Sequence, residues 1–387
     1  MRRFLNHFIK LETSGGILLG IATLTALFLA NSPLQGYYQN LLDLTLTLGK
    51  VHISFLHFIN DGLMTIFFFL VSLEIKRELI QGELNSLEKA LLPTMAAIGG
   101  MIVPALFYLL INHAHPDHTP GWAIPMATDI AFSLGVLSLL NNKIPRSLKV
   151  FLTALAIIDD LGAIIVIAIF YTQQIGWVYL VFAFACLIGL IALNYYGVNR
   201  FAPYVLFAFP LWFFILSSGV HATIAGVLFG LTIPLQPIQA TQSSLLNKLE
   251  HQLHPWVAYS ILPLFAFANA GLSFTGMHWE TFVDPLPLGI IAGLFLGKQC
   301  GILGTSWLTI KVKWAKLPYK TNWQHVYGTA LICGIGFTMS LFIANLAFAN
   351  TETSSLVRLG VLTGSALSGI LGYCVLFFNK IEFTART

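Results

Sequence analysis

Charged residues are scarce in this 387-residue chain, because aspartate, glutamate, lysine and arginine together make up only 9% of it. Ordinary soluble domains carry about 25% charged residues, so a chain of this composition could not cover itself with a water-compatible surface. The net charge of +4 is not gathered into a basic patch with interleaved aromatic residues, which excludes a typical nucleic-acid interface. The composition therefore excludes a soluble globular protein.

Cysteine is also rare, and each of the four cysteines lies inside an apolar run without CxxC spacing. A disulfide framework and a metal site built on paired cysteines are therefore excluded. We expect the four to be small buried hydrophobic side chains. They are Cys186, Cys300, Cys333 and Cys374.

Hydrophobic residues, in contrast, make up 57% of the chain, and its mean hydropathy is +0.79. Apolar runs recur between polar or Gly/Pro-rich segments, which predicts an all-α integral membrane protein with about twelve spans. No A-x-A site follows the first run, so we expect a retained helix there rather than a cleaved signal peptide. The runs centre near Ala22, Phe68, Val103, Phe132, Asp160, Cys186, Leu211, Val227, Phe265, Leu294, Gly336 and Ala366.

We expect residues 1–387 to form a single polytopic domain. Between the first two spans, residues 44–54 alternate apolar and polar side chains around Gly49 and Lys50, which fits a short extramembrane β-hairpin or an extended loop. Cytoplasmic loops are enriched in lysine and arginine. With twelve spans and both termini in the cytoplasm, all but three of the 20 basic residues are cytoplasmic; Lys50, Arg358 and Lys298 are the exceptions.

Two adjacent carboxylates, Asp159 and Asp160, lie at the centre of an otherwise uncharged run from Val150 to Tyr171. Insertion scales assign each such charge a cost of roughly 2.5–3.5 kcal/mol at the bilayer centre, and nothing about folding a hydrophobic helix requires it. The pair is explained if it binds a solute that crosses the membrane. For carboxylates, that solute is a cation, a proton or both.

The fourth and eleventh spans contain helix-breaking signals. Pro125 removes a backbone hydrogen bond close to Thr128 and Asp129, although Asp129 could also mark a water-accessible helix end. Gly334 and Gly336 lie mid-span, where glycines indicate either close packing or an interruption. These two spans hold corresponding positions if spans 3–5 and 10–12 form an inverted repeat, an arrangement typical of transporters with a midplane site.

Lys298 lies in the tenth span, too deep for its ammonium group to reach the interface easily, and therefore needs a negatively charged partner. Neighbouring helical residues point about 100° apart, so Asp159 and Asp160 should have different surroundings. One aspartate can then bind a cation while the other pairs with Lys298.

Five motifs stand out along the chain: ATDIAF at 127–132, ALAIIDDLGA at 154–163, GVHAT at 219–223, HPWVAY at 254–259 and CGIGFTMS at 333–340. Together they resemble the motifs of the NhaA family of bacterial sodium/proton antiporters, and the resemblance runs from the first span into the last. Inverted repeats with two interrupted helices are a known property of that family. The resemblance implies an inner-membrane exchanger of Na⁺ or Li⁺ for H⁺ that needs no cofactor, is not an enzyme, is regulated by pH and forms homodimers through the hairpin.

The resemblance also implies residue roles. The transported Na⁺ or Li⁺ and the proton would bind to Asp159 and Asp160, with the Thr128 hydroxyl as a further ligand. The resemblance implies no metal ion other than the transported one. Asp129 and Lys298 would balance the dipole ends of the broken helices. A pH response is implied for a cytoplasmic cluster, although charges so placed usually form a solvated cap and His221 could equally be a hydrogen-bonded core histidine. The cluster consists of Glu74, Arg77, Glu78, Lys248, Glu250, His251 and His254, and the resemblance implies a pH response for His221 as well, beside the break between the seventh and eighth spans.

Two other functions stay open from the residues alone. An intramembrane aspartyl protease also places aspartates on two spans, but its YD and GxGD motifs do not occur here. A passive cation channel would use intramembrane carboxylates without requiring a proton gradient. Separately, the HAHPDH run at 113–118 could hold zinc or copper, or could be an ordinary polar loop.

Overall fold

The computed structural model describes residues 14–48, 51–140, 143–172, 175–235, 244–348 and 351–379, and these are almost entirely helical. In chain order the helices are α1 (Ser14–Ala30), α2 (Gln35–Leu42), α3 (Phe55–Ile80), α4 (Leu87–Ile111), α5 (Pro116–Met126, a 3₁₀-helix), α6 (Ile130–Leu139), α7 (Arg146–Phe170), α8 (Trp177–Tyr195), α9 (Phe201–Ser217), α10 (Thr223–Thr232), α11 (Leu245–Trp256), α12 (Leu262–Asn269), α13 (Trp279–Val283), α14 (Pro285–Lys311), α15 (Trp323–Ile332), α16 (Phe337–Ala347) and α17 (Thr351–Phe378). A 3₁₀ turn lies at Glu83–Asn85, and π turns lie at Phe58–Leu63 in α3, at Val257–Ile261 between α11 and α12, and at Gly293–Gly297 in α14.

The spans follow from length and apolarity. Within the described ranges, six helices are long and apolar enough to cross a membrane, and three bent pairs (α1 with α2, α5 with α6, α15 with α16) bring the number to nine. The shorter apolar helices α9 and α10, and the segment formed by the π turn at Val257–Ile261 together with α12, make twelve. The predicted helical membrane architecture with interrupted fourth and eleventh spans is confirmed, and α9 and α10 are separate helices.

A short hairpin precedes α3. Strands β1 (Thr45–Leu48) and β2 (Val51–Ser54) pair antiparallel, with Thr45 opposite Ser54 and Leu48 opposite Val51. The turn residues Gly49 and Lys50 lie outside the described residues.

The chain divides into two compact units. The first comprises Met1–Asn31, Glu83–Ala163 and Asn269–Thr387, and the second comprises Ser32–Gly82 and Ile164–Ala268. In the first unit α4 packs against α14, where Gly99 and Gly301 approach so closely that a Cβ on either would overlap the other's carbonyl oxygen. In the second unit α10 packs on α3 and α9 packs on α8, around a core that includes Tyr204 and Leu211.

The expectation of four buried cysteines is met fully by only one of them. Cys333 is buried, Cys186 and Cys374 are half-buried, and Cys300 is exposed on α14. In a membrane-embedded helix an outward-facing thiol contacts lipid, so exposure does not carry the cost that contact with water would impose on an apolar group.

Candidate functional site

The fourth span is interrupted between α5 and α6, which are bent by 47° relative to each other. Residues 127–129 are extended there, directly after the last turn of α5, which is weakened because Pro125 has no N–H to donate. The eleventh span is interrupted at residues 333–336, and α15 and α16 are bent by 43°. The two interruptions lie at the proline and at the glycines that predicted them.

Gly334 and Gly336 are required by space rather than by backbone angles. A Cβ on Gly334 would overlap the Leu294 carbonyl oxygen, and one on Gly336 would overlap the Ser340 hydroxyl and press on the Ala127 carbonyl oxygen. Close packing and interruption are therefore not alternatives here. The glycines allow the interrupted chains and α14 to approach within backbone contact.

The interrupted segments cross and bond to each other. The Asp129 N–H donates to the Ile335 carbonyl oxygen at 2.7 Å. The Thr128 hydroxyl lies 2.9 Å from the Cys333 carbonyl oxygen. Because an unpaired backbone group in hydrocarbon costs several kcal/mol, these bonds make the two breaks possible within a membrane.

Two serines that the sequence reasoning did not identify complete the crossing. Ser133 donates to the Ile332 carbonyl oxygen at 3.2 Å, and Ser340 donates to the Ile124 carbonyl oxygen at 2.7 Å. Each hydroxyl belongs to the half-helix after one break and satisfies a carbonyl at the end of the half-helix before the other. A serine one turn after each predicted break was the signal that could have found them.

The Asp129 carboxylate caps two helices at once. One oxygen accepts the Phe132 N–H at 2.9 Å, at the start of α6. The other accepts the Thr338 N–H at 3.1 Å and the Thr338 hydroxyl at 2.5 Å, at the start of α16. Helix N-termini carry partial positive charge, so one buried carboxylate stabilises both. Thr338 was not among the predicted site residues.

Lys298 places a positive charge at the negative, C-terminal end of a half-helix, as Asp129 places a negative charge at positive helix ends. Its fully buried ammonium group donates to the Met126 carbonyl oxygen at 2.6 Å, the Thr128 hydroxyl at 2.9 Å and Asp159 Oδ2 at 2.5 Å. Met126 is the last residue of α5, where the helix dipole is negative. The structure thus gives Lys298 two negative partners, a half-helix end and the Asp159 carboxylate.

Asp159 and Asp160 are both buried, with relative exposures of 0% and 1%. Asp159 Oδ2 also lies 2.7 Å from the Thr128 hydroxyl, whose single proton can serve either this oxygen or the Cys333 carbonyl. Its Oδ1 has no hydrogen-bond donor within the described part of the chain. Carboxylate, hydroxyl and carbonyl oxygens are the ligands that hard cations such as Na⁺ favour.

The second unit holds the cytoplasmic cluster predicted from spacing. The Arg77 Nε lies 2.9 Å from both carboxylate oxygens of Glu250, and an Arg77 Nη lies 2.8 Å from Glu78. Glu74, one turn earlier on α3, interacts electrostatically with Arg77 and Glu250. One Arg77 N–H is therefore shared between the two Glu250 oxygens. This contact joins α3 to α11, and charge-assisted hydrogen bonds are stronger than bonds between neutral groups.

His254, a member of the same cluster, has a pKa below the ordinary histidine value. Desolvation lowers this pKa, the charge of Glu250 opposes the effect, and the charge of His251 adds to it. The folded protein therefore favours the neutral imidazole of His254. The contribution of this neutral form to the free energy of unfolding is fully present above about pH 6.5 and is lost as the pH falls through the lowered pKa. His254 is exposed, as are Lys248 and His251, and solvent screening keeps the effect small.

The remaining histidines of interest are held by hydrogen bonds. His221 Nε2 donates to the Tyr171 carbonyl oxygen at 2.8 Å. His118 Nδ1 lies 2.9 Å from the Asn112 side-chain oxygen, and His113 bonds to a backbone carbonyl of its own helix end. No group of three or more His, Cys, Asp or Glu side chains in the described ranges is placed to hold a metal ion.

Comparison with known proteins agrees with this arrangement. The family model described as Na⁺/H⁺ antiporter 1 matches residues 6–376. Proteins named Na(+)/H(+) antiporter NhaA from Shewanella frigidimarina and Pseudomonas putida GB-1 are 52% and 51% identical, covering 96% and 97% of both chains. The protein of that name from Pelagibacter ubique is 51% identical over 96% of both chains. The chain, a multi-pass membrane protein, therefore belongs to the Na⁺/H⁺ antiporter 1 family.

Proposed function

We propose that this protein is a secondary active antiporter, not an enzyme, that exports Na⁺ or Li⁺ in exchange for H⁺. The observation that supports this best is the buried Lys298–Asp159 ion pair beside Asp160. The Lys298 ammonium group pairs with the Asp159 carboxylate, which a transported cation would also need. Binding of the transported cation therefore competes with this ion pair. The names of the relatives support the same activity.

Competition follows from the oxygen ligands. Asp159, Asp160 and the Thr128 hydroxyl, together with carbonyls freed at the breaks, would coordinate Na⁺ or Li⁺. A proton competes for the same carboxylates, because a bound cation favours their ionised form. Cation and proton therefore exclude each other, and alternating access converts that exclusion into exchange. Two titrating carboxylates allow more protons than sodium ions per cycle, which would make transport electrogenic.

The interrupted helices hold this site in place. Asp129 and Lys298 compensate the helix ends that meet at the crossing, while Pro125, Gly334 and Gly336 permit the breaks. The freed carbonyl groups are then available beside the carboxylates inside protein rather than in contact with lipid.

The cytoplasmic cluster would bias transport rather than bind the cargo. Its Arg77–Glu250 pair links two helices, and a change of protonation in this neighbourhood would alter how firmly they are joined. The residues proposed for this pH response are Glu74, Arg77, Glu78, His221, Lys248, Glu250, His251 and His254.

The cellular setting follows from the family. We place the protein in the bacterial inner membrane, surrounded by lipid, with both termini cytoplasmic as the lysine and arginine distribution indicates. We also propose a homodimer associated with the β1–β2 hairpin. The family match extends across both compact units, which supports one polytopic antiporter domain.

Transport in inverted membrane vesicles tests the proposal. An acid-inside pH gradient is imposed, sodium is added, and dissipation of the gradient is followed with a fluorescent amine. Wild type should dissipate it, Asp160→Asn should not, and the exposed Asp117→Asn should behave as wild type. The Asp160 variant should keep the thermal unfolding temperature of wild type.

Two results would contradict the proposal. Sodium-dependent proton movement retained by Asp160→Asn would remove this carboxylate from the site. Sodium flux that is insensitive to the pH gradient and moves no protons would indicate a passive cation channel instead.

A further inference from the structure

A long apolar groove in the first compact unit takes no part in the proposed exchange. Its volume is about 830 Å³. One wall follows α17 from Leu359 to Cys374, a length of roughly 22 Å at 1.5 Å per residue. Helices α1 and α6 also line the groove, as do Leu272 and Phe274. The groove is longer than one bilayer leaflet, which is about 15 Å of hydrocarbon, and could therefore hold a whole acyl chain.

The groove opens outward along its length. Leu24 on α1, Leu139 on α6 and Ile370 on α17 line it with relative exposures of 68%, 55% and 64%. In a membrane-embedded chain, side chains exposed between spanning helices meet lipid hydrocarbon rather than water. Hydrocarbon is therefore the natural occupant.

One end of the groove carries a positive charge. The exposed Lys143 follows the end of α6, and its Nζ lies 3.5 Å from the centre of the Phe377 ring. Phe377 is about one turn beyond Tyr373, which lines the groove. Near a membrane surface a lysine attracts anionic lipid by about 1 kcal/mol. The charge thus complements an anionic headgroup at the end where an acyl chain would enter.

The floor of the groove is the break in the eleventh span. Ile335 and Phe337 both line it, the Ile335 carbonyl accepts the Asp129 N–H, and the Phe337 N–H donates to Ser365 at 3.2 Å. An occupant would therefore pack directly against residues that hold the crossing together.

We propose that this groove binds one acyl chain of an anionic phospholipid, that the phosphate of this lipid contacts Lys143, and that the bound chain packs against Ile335 and Phe337. The site goes beyond the proposed exchange, and its test does not depend on transport.

The acyl-chain part is tested by filling the groove. A Cβ on Gly20, which lines the groove, would meet nothing within 4 Å, and the same holds for Gly304 on α14, which does not line it. Full-length Gly20→Phe and Gly304→Phe are reconstituted in phosphatidylcholine vesicles with a trace of phosphatidylglycerol bearing a photoactivatable acyl chain. Cross-links are mapped to peptides by mass spectrometry.

Wild type and Gly304→Phe should be labelled on the groove faces of α1 and α17. Labelling should fall about ten-fold or more in Gly20→Phe, because losing contact with two methylene groups already corresponds to roughly that factor. Equal labelling of the two variants would overturn the site. Cross-linking of α17 to a second copy of the chain, in place of the lipid probe, would assign the groove to a protein contact and would also overturn it.

The headgroup part is tested with Lys143→Gln, and Lys311→Gln is the control. Lys311 also stacks on an aromatic ring, with its Nζ 4.3 Å from the centre of the Trp307 ring. Labelling of the groove by the phosphatidylglycerol probe should drop about five-fold in Lys143→Gln only, the factor that about 1 kcal/mol represents. A matched phosphatidylcholine probe should label both variants alike. Equal preference for the two probes in wild type would refute the recognition of an anionic headgroup.

Discussion

Replacing Lys298 by alanine should destabilise the protein in a manner that depends on pH. The ammonium group donates to Met126, Thr128 and Asp159 inside the protein, and both partners of the ion pair are fully buried. Removing it leaves a carboxylate without its counter-charge and a half-helix end without its cation. Truncating one partner of a buried pair costs roughly 3–5 kcal/mol.

Protonation of Asp159 limits this loss. For a carboxyl group with an ordinary pKa of about 3.9, taking up a proton costs about 4 kcal/mol at pH 7, and each lower pH unit reduces that cost by about 1.4 kcal/mol. The destabilisation by Lys298→Ala should therefore be about 4 kcal/mol at pH 7 and about 2 kcal/mol at pH 5.5. The loss is present at neutral pH and recedes as the solution is acidified.

Thermal unfolding of the purified full-length protein at pH 7 and pH 5.5 measures both values. Lys311→Ala is the matched control. Lys311 lies in the last turn of α14, the helix that carries Lys298, and its ammonium group stacks on the Trp307 ring. Its removal should change stability little at either pH. Wild-type stability of Lys298→Ala at pH 7, or a deficit of equal size at both pH values, would show that the Lys298–Asp159 pair does not carry the charge balance inferred from the structure.

Thr338→Val should lower stability by roughly 1.5–3 kcal/mol, because the Asp129 carboxylate loses a hydroxyl donor. Thr329→Val, whose buried hydroxyl bonds only within its own helix, should lose less in the same unfolding assay, and equal losses would argue against the shared cap. Replacing Glu250 and His254 together by glutamine should shift the curve of exchange rate against pH by less than about one unit at saturating sodium, without lowering its maximum. Superimposable curves would assign these two residues to a solvated cap, and loss of exchange at every pH would place them in the transport path.

Much of the fold could be predicted because the bilayer constrains it strongly. A span needs about twenty apolar residues, and interrupted backbone is tolerated only inside protein or a wet cavity. Hydropathy therefore located the spans, and Pro125 with Gly334 and Gly336 located the two breaks. The fourth span nevertheless begins at Pro116, ahead of the apolar run that starts at Trp122, because a 3₁₀-helix with a polar start gives little hydropathy signal.

The partners within the site were harder to predict. Asp159 and Asp160 are equivalent in sequence, and only the rotation of α7 about its axis decides which of them faces Lys298. The donors to Asp129 and the paired roles of Ser133 and Ser340 depend on how two segments some two hundred residues apart cross. A single sequence carries the hydroxyl groups but not the geometry that matches them.

The shared carboxylate of Asp129 limits how this protein can move. Separating the two interrupted spans would strip the Asp129 cap from α16, although α6 would keep it, and Ser133, Ser340 and the Asp129 N–H would lose their carbonyl acceptors in the same step. At several kcal/mol for each polar group left bare in hydrocarbon, such a separation lies far outside thermal fluctuation. The crossing therefore behaves as one mechanical part, and the access of ions to Asp159 and Asp160 must change by displacement of this part as a whole relative to the lipid or by rearrangement around it.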